Sequence, residues 1–193
     1  MASLFLAPTP TAHWHQLIIE AQRTVQINLG EELESYLVFL LMRFIEKPDI
    51  ANFVVALEFL SAAQEDGHLN AQHLQKIGDI CLLLAGLFPQ RAVKRCIRVS
   101  YFVNIGQSAY DLRSQHDYQA DSLFHHLASK FVALMDVLQA VRNIDNPQST
   151  ALLSPLDAYE LWEDTGSIAA KQAIERSAGH TIVLSKILQS QRN

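Results

Sequence analysis

Along most of this chain apolar residues recur at three- and four-residue steps, the spacing that gathers them on one side of an α-helix. The clearest run is Leu123, Phe124, Leu127, Phe131, Leu134, Met135, Leu138 and Val141, which predicts a helix from about Gln119 to Asn143. Tyr36 to Met42 is apolar on every side, as a helix surrounded by others would be, and is expected to form the central helix. Glu31, Glu32 and Glu34 open that helix, where carboxylates suit the helix dipole, and Pro48 closes it. Before it, a helix is expected from Thr11 to about Asn28, with Leu29-Gly30 as its stop.

The polar punctuation divides the rest. Asp49 can cap a helix through about Gln64, Asp66-Gly67 is a turn, and Asn70 can cap a further helix to Phe88. Pro89 marks a corner, and one continuous helix is expected from Gln90 to Arg113. The polar stretch Asn146 to Thr150 reads as a boundary. Beyond it Ser154 is a cap with Pro155 at the first helical position, giving a helix to about Asp164. Thr165-Gly166-Ser167 is a turn, a short helix follows to Ala178, and Gly179 stops it. Residues 181–188 fit strand or helix equally. The expected architecture is all-α: an irregular bundle of about six helices over residues 11–146, preceded by a flexible lead-in at 1–10 and followed at 147–193 by a short helical-hairpin tail packed on the bundle.

Composition agrees with long helices and few turns. Of 193 residues only 7 are Gly and 6 Pro, while 49% are hydrophobic and 18% charged, enough apolar material for one large core. The net charge of −5 argues against whole-surface attraction to nucleic acid, and the longest apolar runs are too short to cross a membrane. No basic residue precedes Arg23, so a secretory leader is not expected, and the chain reads as cytoplasmic. Cys81 and Cys96 lie in apolar helical stretches and are expected to be buried free thiols rather than a disulfide.

Four constellations bear on chemistry. Asp79 lies among apolar residues of its helix, where a carboxylate is expected to pair with an arginine, Arg43 or Arg98, or to act as a general acid or base. Tyr101 and Tyr110 are candidates to join it in a pocket. Arg91, Lys94, Arg95 and Arg98 cluster at the start of the fifth helix on an arc of about 100°, which suits an anion or an acidic partner and equally suits ion pairing within the chain. Among the eight histidines, Asp121 and His125 are four apart and the weak candidates for a metal, but a helical wheel turns His125, Ser129 and Asp136 outward. Glu65-Asp66-Gly67-His68 has the spacing of a carboxylate–histidine metal motif but spans a turn, and His13 and His15 have no acidic neighbour in sequence. Gly78, Cys81 and Ala85, and again Gly106 and Ala109, are small residues that let helices approach closely, the reason expected for a mid-helix glycine.

The segments Lys76-Ile77-Gly78-Asp79-Ile80-Cys81-Leu82-Leu83-Leu84-Ala85-Gly86-Leu87-Phe88-Pro89 and Tyr101-Phe102-Val103-Asn104-Ile105-Gly106-Gln107-Ser108-Ala109-Tyr110 resemble a group of uncharacterised bacterial all-helical cytoplasmic proteins. That resemblance implies a bacterial, cytoplasmic, helical protein with no assigned activity, and Gly78, Asp79, Gly86, Tyr101, Gly106 and Tyr110 are its positions of interest. No phosphate loop, nucleophile elbow or Cys-x-x-Cys pair occurs, and the tail offers only Lys171 and Arg176 for DNA phosphates. The expected function is a non-enzymatic interaction or regulatory protein, a homodimer, without cofactor. The alternative is a helical-bundle enzyme or small-molecule or metal-binding protein with a pocket near Asp79, Tyr101 and Tyr110.

Overall fold

The computed structural model describes residues 9–46, 68–115, 122–145 and 153–178, and within them every regular element is an α-helix. In chain order these are α1 (Pro10–Val25), α2 (Glu31–Glu46), α3 (His68–Gly86), α4 (Pro89–Lys94), α5 (Val99–Ser114), α6 (Leu123–Ser129), α7 (Phe131–Asp145), α8 (Pro155–Thr165) and α9 (168–178). Of the lead-in expected at 1–10, residues 9 and 10 instead cap and open α1; its residues 1–8, the helix at 49–64, the boundary at 146–150 and the segment 181–188 lie outside the described residues. No described helix is long and apolar enough to cross a membrane.

Side-chain caps explain the starts of α1 and α8. The Thr9 hydroxyl accepts from the Ala12 amide at 3.3 Å with Pro10 at the first helical position, and Ser154 does the same for Asp157 at 3.2 Å ahead of Pro155. Gly166, at φ +73°, ends α8 through a bond from its amide to the Trp162 carbonyl.

Two helices are followed by a left-handed residue other than glycine. Gln26, at φ +57°, closes α1, with the Ile27 and Gln26 amides reaching back to the Gln22 and Arg23 carbonyls. Cys96, at φ +55°, does the same after α4, through Ile97 to Ala92 and Cys96 to Val93. The helix expected from Gln90 to Arg113 is therefore two helices with a reversal at Arg95–Arg98. The helix expected at 119–143 is likewise two, interrupted at Lys130, with Ser122 capping the first. Cys96 is correspondingly exposed, not buried as expected; Cys81 is buried, and both are free thiols.

The central helix is α3, and not α2 as its unbroken apolar run implied. Helix α3 packs along α5, α7 and α4, whereas among the described residues α2 packs mainly against α1 and α6 and leaves Phe39 58% exposed. Glycines permit the close crossings: a Cβ at Gly78 would lie 2.4 Å from the Tyr110 ring, and one at Gly106 would lie 2.4 Å from Phe131 and 2.9 Å from Cys81. These are the packing reasons expected of both. Leu37 and Leu41 of α2, Ile77 and Leu82 of α3 and Phe131, Leu134 and Leu138 of α7 are all fully buried in the core. Burying seven such side chains contributes on the order of 10–20 kcal/mol before chain entropy is set against it.

Candidate functional site

The Asp79 carboxylate accepts hydrogen bonds from three side chains. Tyr36 from α2 and Tyr110 from α5 both donate to its Oδ1, at 2.5 and 2.7 Å, and Arg43 from α2 donates to Oδ2 at 3.1 Å. Gln75, one turn earlier on α3, donates to the Tyr36 hydroxyl at 3.4 Å. Arg43 is thus the arginine partner; Arg98 is not. Burial pushes the Asp79 carboxyl above the ordinary carboxylate range, against the pull of Tyr36, Arg43 and Tyr110. Burial and the nearby carboxylate also raise both tyrosine hydroxyls well above their usual range, which keeps them protonated as donors.

This arrangement ties three helices together and leaves little room for a reactant. Both carboxylate oxygens are occupied, and Tyr110 is fully buried against Gly78, Phe124 and Phe131. Tyr101 does not join the cluster. Nine residues before Tyr110 on α5, it falls on the opposite side of the helix, partly exposed and edge-on to Phe102. The residue that sequence reasoning missed is Tyr36. Its signal was a hydroxyl in an otherwise apolar run, seven residues and hence two turns from Arg43.

A second buried carboxylate corrects the helical wheel. Asp136 on α7 is 1% exposed, not outward-facing with His125 and Ser129, which are exposed. Its Oδ1 accepts from the Ser167 hydroxyl at 2.6 Å, and its Oδ2 accepts from the Ile168 and Ala169 amides at 2.7 and 3.3 Å. Asp136 thereby caps α9 from another helix, where free amides and the helix dipole favour an anion. Burial raises its carboxyl to about 6, with the three bonds pulling the other way.

The four basic residues are not on one helix face. Arg91 and Lys94 lie on the short α4, Arg95 ends it, and Arg98 precedes α5. Arg98 turns to the tail, 3.4 Å from Glu160 and 3.7 Å from Asp164 on α8. Arg91 stacks 4.7 Å over Phe88. Between the reversal and α8 lies a pocket of about 270 Å³, lined by Val93, Cys96, Arg98, Glu160 and Asp164 among others. Ser100 at its edge donates to Asp164 at 2.6 Å.

No group of three or more potential metal ligands occurs among the described residues. Asp121 and Glu65 lie outside them. His15 and His126 have acidic neighbours that sequence spacing could not reveal, Glu34 at 3.6 Å and Glu32 at 3.4 Å, both from α2. No protein-family model, curated protein or solved structure matches this chain.

Proposed function

We propose that this is a non-enzymatic interaction or regulatory protein of the bacterial cytoplasm whose tail hairpin is the docking element. The observation that carries this is the outer face of α8. Leu156, Tyr159 and Trp162 are 68%, 46% and 39% exposed and share an arc of about 120° on an eleven-residue helix. Tyrosine and tryptophan are the residue types that dominate the energetics of protein interfaces, and a concentrated exposed apolar face marks a binding surface more than scattered single residues do. Ile168, the first residue of α9, is also exposed.

The buried carboxylates support the same reading from the other side. Asp79 holds α2, α3 and α5 in register, and Asp136 fastens α9 to α7, so both have structural work that accounts for their burial. The bacterial cytoplasmic setting rests on the resemblance of residues 76–89 and 101–110 and on the two free thiols, one of them exposed.

The test is site-specific photo-cross-linking in cells. A benzophenone-bearing amino acid at position 156 is expected to give a discrete adduct that disappears when Tyr159→Ala and Trp162→Ala are added. The same group at exposed position 20 on α1 is expected to give none. Absence of any adduct from position 156 would overturn the tail as a docking element.

A further inference from the structure

The tail is one half of a surface with two opposite edges. Helix α8 carries Asp157, Glu160, Glu163 and Asp164 and no basic residue. Across the 270 Å³ pocket, the segment from Phe88 to Arg98 carries Arg91, Lys94, Arg95 and Arg98 and no acidic residue. Among the described residues only Arg98 forms an ion pair with α8. Lys94, Arg95 and Glu163 are exposed and make no ion pair among the described residues. A patch that bears four carboxylates on one side and four cations on the other complements itself when rotated by half a turn, which is the requirement of a two-fold interface.

We infer that the occupant of this surface is a second copy of the chain, related by a two-fold axis through the pocket beside Cys96. The inference rests on the tail being the docking element. In that arrangement Lys94 and Arg95 of each copy meet Glu160 and Glu163 of the other. The guanidinium and ammonium groups also reach the faces of Tyr159 and Trp162, which attract cations. The exposed Cys96 thiols approach each other near the axis. A partner with a uniformly charged surface would satisfy only one edge and oppose the other, so the pairing of edges selects a second copy.

Charge exchange between copies makes the test. Sedimentation velocity on the full chain at low salt is expected to show a dimer for the native protein. Lys94→Glu with Arg95→Glu, which leaves the basic edge with no net charge, is expected to weaken it roughly tenfold or more. Glu160→Lys with Glu163→Lys, which leaves the acidic edge with no net charge, is expected to do the same. Mixing the two variants is expected to restore a dimer containing one chain of each kind. A short bismaleimide is expected to join native copies through Cys96, and to join the mixed pair but neither variant alone. Lys94, Arg95 and Glu163 are exposed and Glu160 is half-buried beside Arg98, and unchanged thermal melting verifies the fold of each variant.

A native monomer, or a dimer indifferent to both reversals, would overturn the second copy as occupant. The mass of the adduct formed at position 156 keeps that failure apart from failure of the docking reading. An adduct with a different protein sinks only the second copy, whereas no adduct sinks the docking element itself.

Discussion

The Tyr110 ring occupies the space left by the missing side chain of Gly78: a methyl group there would stand 2.4 Å from the ring. That approach sets the Tyr110 hydroxyl 2.7 Å from Asp79, one residue further along α3. Gly78→Ala gains about 1 kcal/mol of helix propensity but drives a methyl into a buried ring that has no free direction to move. The net effect is expected to be a loss of about 1–3 kcal/mol. Denaturant unfolding measures it. An alanine variant as stable as the native chain would show that α3 and α5 can separate without loss.

Tyr110→Phe keeps the ring and removes one of two donors to Asp79 Oδ1. A hydrogen bond to a charged group contributes about 1.5–3 kcal/mol, and a loss in that range is expected. Asp79→Ala leaves both tyrosine hydroxyls buried without their acceptor and opens a cavity, for an expected loss of about 2–5 kcal/mol. Asp79→Asn, which retains an acceptor for the hydroxyls, is expected to fall between native and alanine variant. If Asp79→Asn were as stable as the native chain, the carboxylate charge would not be needed to hold the helices.

The tail hairpin is held at Asp136. Ser167 donates its hydroxyl to that carboxylate at 2.6 Å and accepts from the Ala170 amide at 3.0 Å, so it serves as the α9 cap and as the link to α7. Ser167→Ala is expected to cost about 2–3 kcal/mol, combining a cap with a charge-assisted bond. Hydrogen exchange is expected to accelerate across residues 168–178 while the amides of α3 stay protected. Uniform acceleration through the whole chain would show that the tail does not open on its own.

Asp136 also predicts a pH dependence. Its carboxyl is raised from near 3.8 to about 6 in the folded chain, so the folded state holds the proton more tightly than the unfolded one. Such a group adds stability that is fully present below the unfolded value and is lost as pH rises through about 6. From pH 4 to 7 this amounts to a decline on the order of 2–3 kcal/mol. The decline is read as the difference between native and Asp136→Asn melting profiles, which removes the contribution of other carboxylates. A flat difference across this window would contradict the assignment.

The two thiols are expected to separate kinetically. Burial pushes the Cys81 thiol up and shields it, whereas Cys96 is exposed. A thiol reagent is expected to label Cys96 in the native protein and Cys81 only as fast as the chain unfolds. Rapid labelling of both would place an opening between α3 and α5 that the packing at Gly106 forbids.

By itself the sequence determined what depends on local spacing and short-range chemistry. The all-helical class, the start of α8, the stop at Gly166 and the packing role of Gly78 and Gly106 follow from periodicity, caps and residue size, which act within a few residues. An arginine partner for Asp79 was expected from its apolar surroundings, but the choice of Arg43 over Arg98 came only with the tertiary structure. Tertiary structure alone decided the rest. Gln26 and Cys96 take left-handed backbone that ordinarily calls for glycine, so the breaks they make leave no compositional trace and packing of the flanking helices must enforce them. Asp136 has the spacing of a solvated residue until α9 covers it from 31 residues away in sequence. The basic cluster lost its common helix face when the chain reversed at Cys96, and it gained an acidic neighbour only because α8 folds back beside it. Helical periodicity records which side of a helix is apolar; it holds no record of which distant segment comes to lie on the polar side.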